Sequence, residues 1–145
     1  MTTLGFYRRA IDETRHADRE AVKRGTAAVL HALRDRLMPT EAAQAAAQLP
    51  RGLQEVWSAG DTRERKPIKL HRKEFYERVR REAGLKNVRE ARFLTIGVFA
   101  ALKEQLSPGE AGDVCAQLPR DLKGSLGGRL RWPARPQGSP SRWRP

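Results

Sequence analysis

The chain is poor in the residues that most often build chemical sites. It has one cysteine and three histidines in 145 residues, so no internal disulfide can form. The histidines, His16, His31 and His71, are scattered along the chain rather than set at the short spacings of metal ligands. These absences predict neither a metal site nor a cofactor.

Long apolar runs are also missing. No stretch of 18 or more apolar residues occurs, which argues against a membrane-spanning helix. The N-terminal segment MTTLGFYRRAIDETRHADRE carries charges where a signal peptide needs an uninterrupted apolar stretch. We therefore expect a cytoplasmic protein that does not associate with membranes.

Acidic residues are too few to balance the basic ones, and the formal net charge is +12. The excess is not spread evenly. Residues 1–60 carry nine Lys and Arg against seven Asp and Glu, and residues 75–128 carry the same numbers. The connector 61–74 has six cations against three acids, and the tail 129–145 has five arginines and no acid. The basic character therefore belongs mainly to the connector and the tail.

What the sequence does contain is an internal repeat with an offset of 69 residues. Aligning 6–60 with 75–129 needs no gap and gives 18 identities at 55 positions, several times the number expected by chance. The clearest match joins AAQLPRGLQ, at 46–54, to CAQLPRDLK, at 115–123. Self-similarity at a fixed period is typical of repeated structural units, so we predict a duplicated module.

Each repeat has the apolar periodicity and the punctuation of four helices. Asp18 and Asn87 precede the longest periodic segments and are strong N-cap residues. Pro39 and Pro108 suit the first turn of a third helix, and the segment from Ser107 to Glu110 fits a capping box. Helix breaks are predicted near residues 15–18, 38–39, 49–50, 59–72, 84–87, 107–108 and 118–119.

The repeated Gln-Leu-Pro phrase is interpreted as a helix corner. A proline disfavours helical geometry in the residue before it, so the third helix must stop there, and the proline can open a fourth helix. The glutamine is expected to bind carbonyls left free at the corner. A ligand-binding role for the phrase is the alternative, but no nucleophile, base or phosphate-binding loop accompanies it. The predicted corner signature comprises Gln48, Leu49, Pro50, Gln117, Leu118 and Pro119.

One core shared by both repeats is expected, because a unit of about 55 residues is marginally stable alone. Thr26 and Thr95 recur inside the apolar stripes, where each hydroxyl is expected to bind the carbonyl four residues earlier. The side chains predicted to be buried are Leu33, Leu37, Leu49, Val98, Leu102, Leu106 and Leu118.

These features resemble the bacterial domain-of-unknown-function family numbered 2267. The segments LMPTEAAQAAAQLPRGL and LSPGEAGDVCAQLPRDL carry the resemblance most specifically, and the match extends over about residues 4–126. It implies a small all-helical bacterial protein and brings no catalytic or cofactor residues. The C-terminal segment GSLGGRLRWPARPQGSPSRWRP departs from the pattern, and its composition favours disorder.

The predicted fold is all-α, with two pseudo-symmetric four-helix modules packed together and a disordered basic tail. The predicted boundaries are module one at 1–60, a basic connector at 61–74, module two at 75–128 and the tail at 129–145. The short alternation PIKL, at 67–70, predicts an extended crossing between the modules.

The residue types point more to interaction than to catalysis. Cys115 aligns with Ala46 in a helix of small residues, which indicates a packing thiol rather than a nucleophile. Glu41 and Glu110 recur at the third position of a helix, where capping and the helix dipole explain them. We expect a non-enzymatic interaction or scaffold protein of unknown partner; an enzyme of unrecognised type is a further alternative.

Nucleic-acid binding is the main alternative to a protein partner. The connector RERKPIKLHRK holds six cations in eleven residues, and the tail interleaves arginines with tryptophans that could stack on bases. Weak, nonspecific binding through charge alone is expected. The candidate contacts are Arg63, Arg65, Lys66, Lys69, Arg72, Lys73, Arg131 and Trp132.

Overall fold

The computed structural model describes residues 2–14, 19–61 and 66–117. Within these ranges the chain forms seven α-helices and no strand, which confirms the all-helical prediction. None of the described helices is both long enough and apolar enough to cross a lipid bilayer. The helices are α1 (Thr3–Thr14), α2 (Arg19–Arg36), α3 (Pro39–Ala47), α4 (Arg51–Ser58), α5 (Arg72–Ala83), α6 (Val88–Gln105) and α7 (Pro108–Ala116).

The predicted helix ends are confirmed where the structure describes them. The side-chain oxygen of Asn87 accepts a hydrogen bond from the Glu90 backbone N–H at 2.9 Å and so caps α6. Pro39 and Pro108 are the first residues of α3 and α7, because the fixed φ of proline suits that position. Breaks are present at 38–39, 49–50, 84–87 and 107–108, and the described residues 59–61 and 66–71 of the break predicted at 59–72 are not helical; the Asp18 cap and the breaks predicted at 15–18 and 118–119 lie outside the described residues.

Helices from the two sequence repeats are interleaved. Helix α1 packs mainly against α6, and α5 packs mainly against α2. Thus the first helix of each repeat lies chiefly on the second helix of the other repeat. The two long helices, α2 and α6, also contact each other, and α3 packs against α7.

The core is continuous across both repeats. Phe6 and Phe75 from the equivalent helices α1 and α5 are fully buried, as is Phe99 of α6, whose ring meets that of Phe75 edge to face. The predicted burial of Leu33, Leu37, Leu49, Val98, Leu102 and Leu106 is confirmed, and Leu118 lies outside the described residues.

Helix α2 approaches α6 closely at Gly25. A methyl group added to Gly25 would collide with the Leu94 side chain, so this crossing requires a residue without a side chain. Gly25 and Leu94 are equivalent positions in the 69-residue alignment. The two long helices therefore meet at a pair of counterpart residues.

The described part of the connector is held against the body by a backbone hydrogen bond and an apolar contact. Residues 66–70 are neither helix nor strand, and the Ile68 backbone N–H donates to the Asp35 carbonyl at 2.8 Å. Leu70 packs against the core, whereas Ile68 is 48% exposed. The segment predicted as an extended crossing thus runs past the end of α2.

Candidate functional site

The predicted helix corner is present in the first repeat. Helix α3 ends at Ala47, Leu49 is buried, and Pro50 is the N-cap of α4. The Pro50 carbonyl accepts the Leu53 N–H at 2.8 Å, which starts the next helix. In the second repeat Gln117 follows α7, and Leu118 and Pro119 lie outside the described residues.

The two signature glutamines have a different role from the one predicted. Gln48 Oε1 accepts a hydrogen bond from the Ser107 backbone N–H at 2.7 Å, and Gln117 Oε1 accepts one from the Met38 backbone N–H at 3.0 Å. Ser107 and Met38 immediately precede α7 and α3. Each glutamine therefore satisfies a backbone donor at the start of the other repeat's third helix, rather than carbonyls at its own corner.

Other amides bind the carbonyls of the first corner. Gln54 Nε2 donates to the Leu49 carbonyl at 3.0 Å, and Gln105 Nε2 donates to the Gln48 carbonyl at 2.5 Å. Gln105 belongs to α6, so the second repeat also supports this corner. Because these two amides bond the corner carbonyls, the Gln48 side chain can bond the residue that precedes α7 instead.

Only one of the two hydrogen bonds of the capping box predicted at the start of α7 is present. The Glu110 backbone N–H donates to Ser107 Oγ at 3.2 Å, as predicted. The Ser107 backbone N–H, however, donates to Gln48 Oε1, so the Glu110 carboxylate does not accept the second hydrogen bond of the capping box. It turns instead toward Glu41 of α3, its counterpart in the repeat.

Three carboxylates meet where α3 packs on α7. One carboxylate oxygen from each of Glu41, Glu110 and Asp113 lies within 4.8 Å of the others; we call these three residues the carboxylate cluster. Gln117 Nε2 donates to Glu41 Oε1 at 3.3 Å and holds one member in place. This group was not predicted from the sequence. The spacing of histidines and cysteine gives no sign of it, because its members are acids that come from two different repeats.

Electrostatics at the carboxylate cluster disfavour three ionised acids. Glu110 is only 6% exposed. Burial, followed by the adjacent Glu41 carboxylate and the charge of Asp113, raises the pKa of Glu110 to about 8. Glu41 Oε2 and Glu110 Oε2 are buried and accept no hydrogen bond from a donor group among the described residues; the two carboxyls can bond to each other only when one is protonated. The cluster is thus a partly buried acidic site in which Glu110 is mostly protonated at neutral pH.

A buried ion-pair network joins α2, α4 and α5. Arg34, 4% exposed, donates through Nη1 to the carbonyls of Trp57 at 2.8 Å and Ala59 at 2.7 Å. Its Nε donates to Asp35 Oδ1 at 2.9 Å, and Asp35 Oδ2 accepts from Arg78 Nη2 at 2.6 Å. Burial acts to raise the pKa of Asp35, but the hydrogen bonds and charges of both arginines lower it below the ordinary value.

The Arg78–Asp35 pair of this network has a counterpart between the equivalent helices of the two repeats. Arg9 Nε donates to Glu104 Oε1 at 2.7 Å, and these two residues align with Arg78 and Asp35 in the repeat. Neither ion pair was predicted from the sequence. The available signal was an arginine identical in the two repeats together with an acid, aspartate or glutamate, at a second shared position.

The candidate nucleic-acid contacts are only partly described. Lys66, Lys69, Arg72 and Lys73 are exposed along the connector and the first turn of α5. The other four candidates, Arg63, Arg65, Arg131 and Trp132, lie outside the described residues.

No described histidine belongs to the carboxylate cluster. His31 Nε2 donates to the Val56 carbonyl at 2.6 Å and so helps join α2 to α4. His71 is exposed at the N-cap of α5. His16 and the side chain of Cys115 lie outside the described part of the structure.

Comparison with known proteins gives one assignment. The model of a family described as "Uncharacterized conserved protein (DUF2267)" matches residues 5–124, a range that includes the carboxylate cluster and both glutamine caps. No curated protein matches the chain significantly.

Proposed function

Because the chain belongs to the DUF2267 family of uncharacterized conserved proteins, we propose its function from its geometry: a non-enzymatic interaction protein that binds an acidic protein partner. The two repeats form a single pseudo-symmetric scaffold, and a mixed basic and apolar surface on it binds the partner. A cytoplasmic location is the part of this proposal that rests on the sequence alone.

Reciprocal contacts support the pseudo-symmetric scaffold. Arg9 pairs with Glu104 as Arg78 pairs with Asp35. The two signature glutamines exchange caps between the repeats in the same way. Two pairs of counterpart residues meet directly, at the α2–α6 crossing and in the carboxylate cluster. These are the contacts expected for two repeats related by an approximate two-fold axis.

Much of the recurring polar chemistry is used within the scaffold. The signature glutamines cap helices, and the recurring arginines pair with acids. His31 is likewise bonded to a backbone carbonyl. This use of polar groups for helix contacts supports a structural role for them and favours a non-enzymatic protein.

The surface beside the connector carries the proposal of a partner. We define the connector surface as Met38, Lys66, Ile68 and Lys69. Met38 is 52% exposed and Ile68 is 48% exposed, and both lysines are exposed. The Ile68 backbone is bonded to Asp35, three residues before Met38, which holds the segment against the end of α2. Exposed apolar side chains flanked by cations suit a protein surface with acidic groups around an apolar centre.

The connector surface is tested by one substitution and a matched control. Full-length protein carrying Ile68→Asp is compared in pull-down experiments with wild type and with Leu4→Asp, which adds the same charge at another exposed apolar side chain on α1. We expect the partner captured by wild type to be lost with Ile68→Asp and kept with Leu4→Asp. Equal capture by all three proteins would contradict the proposed surface.

Nucleic-acid binding is the second candidate, favoured by the four exposed cations in the connector and at the start of α5. Phosphate contacts through lysine and arginine give steep salt dependence, with a slope of about −0.9 per neutralised phosphate on duplex DNA. We expect binding of a labelled duplex to be weak and largely lost near physiological salt. Tight binding at about 150 mM salt that survives deletion of residues 129–145 would make this the leading function.

A further inference from the structure

The carboxylate cluster has the spacing of a small cation site. Its three oxygens lie within 4.8 Å of one another. Two oxygens on opposite sides of a Ca²⁺ ion, each at about 2.4 Å, would be about 4.8 Å apart. Three oxygens at this spacing can share one ion after side-chain shifts of a few tenths of an ångström.

The unpartnered oxygens are a second and separate indication of a ligand. The Glu110 side chain is more than nine-tenths buried, and its Oε2 has no hydrogen-bond partner among the described residues. Glu41 Oε2 is also buried and accepts no hydrogen bond from a donor group there. The Glu41 and Glu110 carboxyls can bond to each other only through a shared proton, and a cation could take the place of that proton. Buried carboxylates that lack hydrogen bonds are costly unless they are neutralised or bind a metal.

The donor set determines the kind of ion. Carboxylate oxygens suit Mg²⁺, Ca²⁺ and Mn²⁺, whereas zinc and copper sites usually contain histidine or cysteine. The Glu41 carboxylate is already oriented by the Gln117 amide, as ligating carboxylates usually are by a neighbouring donor. Water would complete the coordination on the side away from the helices.

We propose that the carboxylate cluster binds one hard divalent cation, of the Ca²⁺, Mg²⁺ or Mn²⁺ class, between α3 and α7. Glu41 supplies a ligand from the first repeat, and Glu110 and Asp113 supply ligands from the second. The ion would therefore join two helices that are far apart in the sequence. The cation site and the connector surface consist of different residues, so a failure of the proposed partner surface would not affect the cation site.

Calorimetric titration of the full-length protein tests the site. Protein treated with EDTA and dialysed is titrated with CaCl₂, MgCl₂ and MnCl₂ at about pH 8, because carboxylate ligands must be ionised to bind metal. We expect saturable binding of one ion per chain for at least one of these cations. The same cation should raise the melting temperature, since a ligand that binds only the folded state stabilises it.

Three variants decide whether the cluster is the binding site. Glu110→Gln and Asp113→Asn should each weaken binding by at least about tenfold, and the exposed control Glu55→Gln on α4 should leave it unchanged. Glu110→Gln keeps the side-chain shape and is neutral, as Glu110 mostly is at neutral pH, so it is expected to fold, as circular dichroism would show. No saturable binding and no melting shift with any of the three cations, or unchanged affinity in folded Glu110→Gln, would overturn the proposal.

Discussion

At the scale of single residues, Thr26 and Thr95 show how equivalent positions can differ. Both were expected to bond the carbonyl four residues earlier, and Thr95 Oγ1 does so, donating to the Ala91 carbonyl at 2.8 Å. Thr26 Oγ1 is equally buried but has no hydrogen-bond partner among the described residues. The prediction from the sequence is therefore confirmed for Thr95 and wrong for Thr26.

This difference predicts opposite responses to valine, which replaces the hydroxyl with a methyl group of similar size. Thr95→Val loses a buried hydrogen bond and should lower the free energy of unfolding by about 1 kcal/mol. Thr26→Val removes an unpartnered polar atom and should leave stability unchanged or raise it. Urea denaturation of the two variants measures both effects; equal losses would contradict the assignment.

Asp35 predicts a dependence of stability on pH. Despite burial, hydrogen bonds and charges from Arg34 and Arg78 lower the pKa of Asp35 in the folded protein. A lowered pKa contributes stability above the unfolded value, about 3.9, and this contribution is lost as the pH falls through the folded value. Wild type should therefore lose stability on acidification below about pH 4, and Asp35→Asn should show a smaller loss over that range.

The counterpart pair provides the control for Asp35. Asp35→Asn leaves the buried Arg34 with one fewer partner and should cost about 3 kcal/mol at neutral pH. Glu104→Gln breaks the more exposed pair with Arg9, whose side chains are 32% and 42% exposed, and should cost at most about 1 kcal/mol. Denaturation at neutral pH compares them, and a larger loss in Glu104→Gln would be inconsistent with the burial of the two pairs.

Local bonding roles were predicted correctly from the sequence for Asn87 and Thr95, but not for Thr26 or for the Glu110 carboxylate. The Asn87 cap needs only the backbone three residues ahead, and Asn at that position has few other roles. Gln48 binds Ser107, 59 residues away, and no local pattern distinguishes that contact from bonding at its own corner. The carboxylate cluster was missed for the same reason, since Glu41 and Glu110 meet only after the repeats pack together.

At the scale of helices, prolines and N-cap residues determine where a helix begins or ends, whereas tertiary packing determines which helices contact each other. Pro39 and Pro108 were enough to predict the starts of α3 and α7. Periodicity also identified the buried stripes of α2 and α6. Neither signal says which helix covers a stripe, and the structure pairs α1 with α6 and α5 with α2. Gly25 stands in the α2 stripe without any local sign that another helix approaches there.

The crossing of α2 and α6 gives a prediction about paired positions. Gly25→Leu would place a side chain where Leu94 already packs and should destabilise by about 1–3 kcal/mol through overpacking. If the crossing is approximately symmetric, exchanging the two residues in Gly25→Leu/Leu94→Gly restores one large and one small side chain. We expect the double variant to be more stable than Gly25→Leu alone in thermal melts.

The single variant Leu94→Gly is the control, because it shows what loss of the leucine side chain costs when there is no overpacking to relieve. Leu94→Gly alone should be destabilised, because it leaves a cavity at the crossing and adds a second helical glycine. If the losses of the two single variants simply add in the double variant, the positions are not coupled. That outcome would count against the proposed pseudo-symmetry at this crossing.

At the scale of the whole molecule, the interleaving of helices has a consequence for folding. The boundaries predicted at 1–60, 61–74, 75–128 and 129–145 follow the sequence repeat. Yet α1 packs mainly on α6 and α5 mainly on α2, so each repeat has its largest helix contacts with the other. A single repeat would leave the apolar faces of its first two helices uncovered.

This arrangement predicts that neither repeat folds alone. A fragment of residues 1–60 lacks α6 and α5, which cover Phe6, Val29 and Leu33 in the intact chain, and a unit of this size buries too little surface to compensate. We expect the fragment to show low helicity and no cooperative melting transition. Mixing it with the fragment 61–145 should restore helicity, because the lost contacts lie between the fragments. Cooperative melting of fragment 1–60 at the temperature of the intact protein would show that the repeats are independent domains, and the exchange of helices would then not be needed for stability.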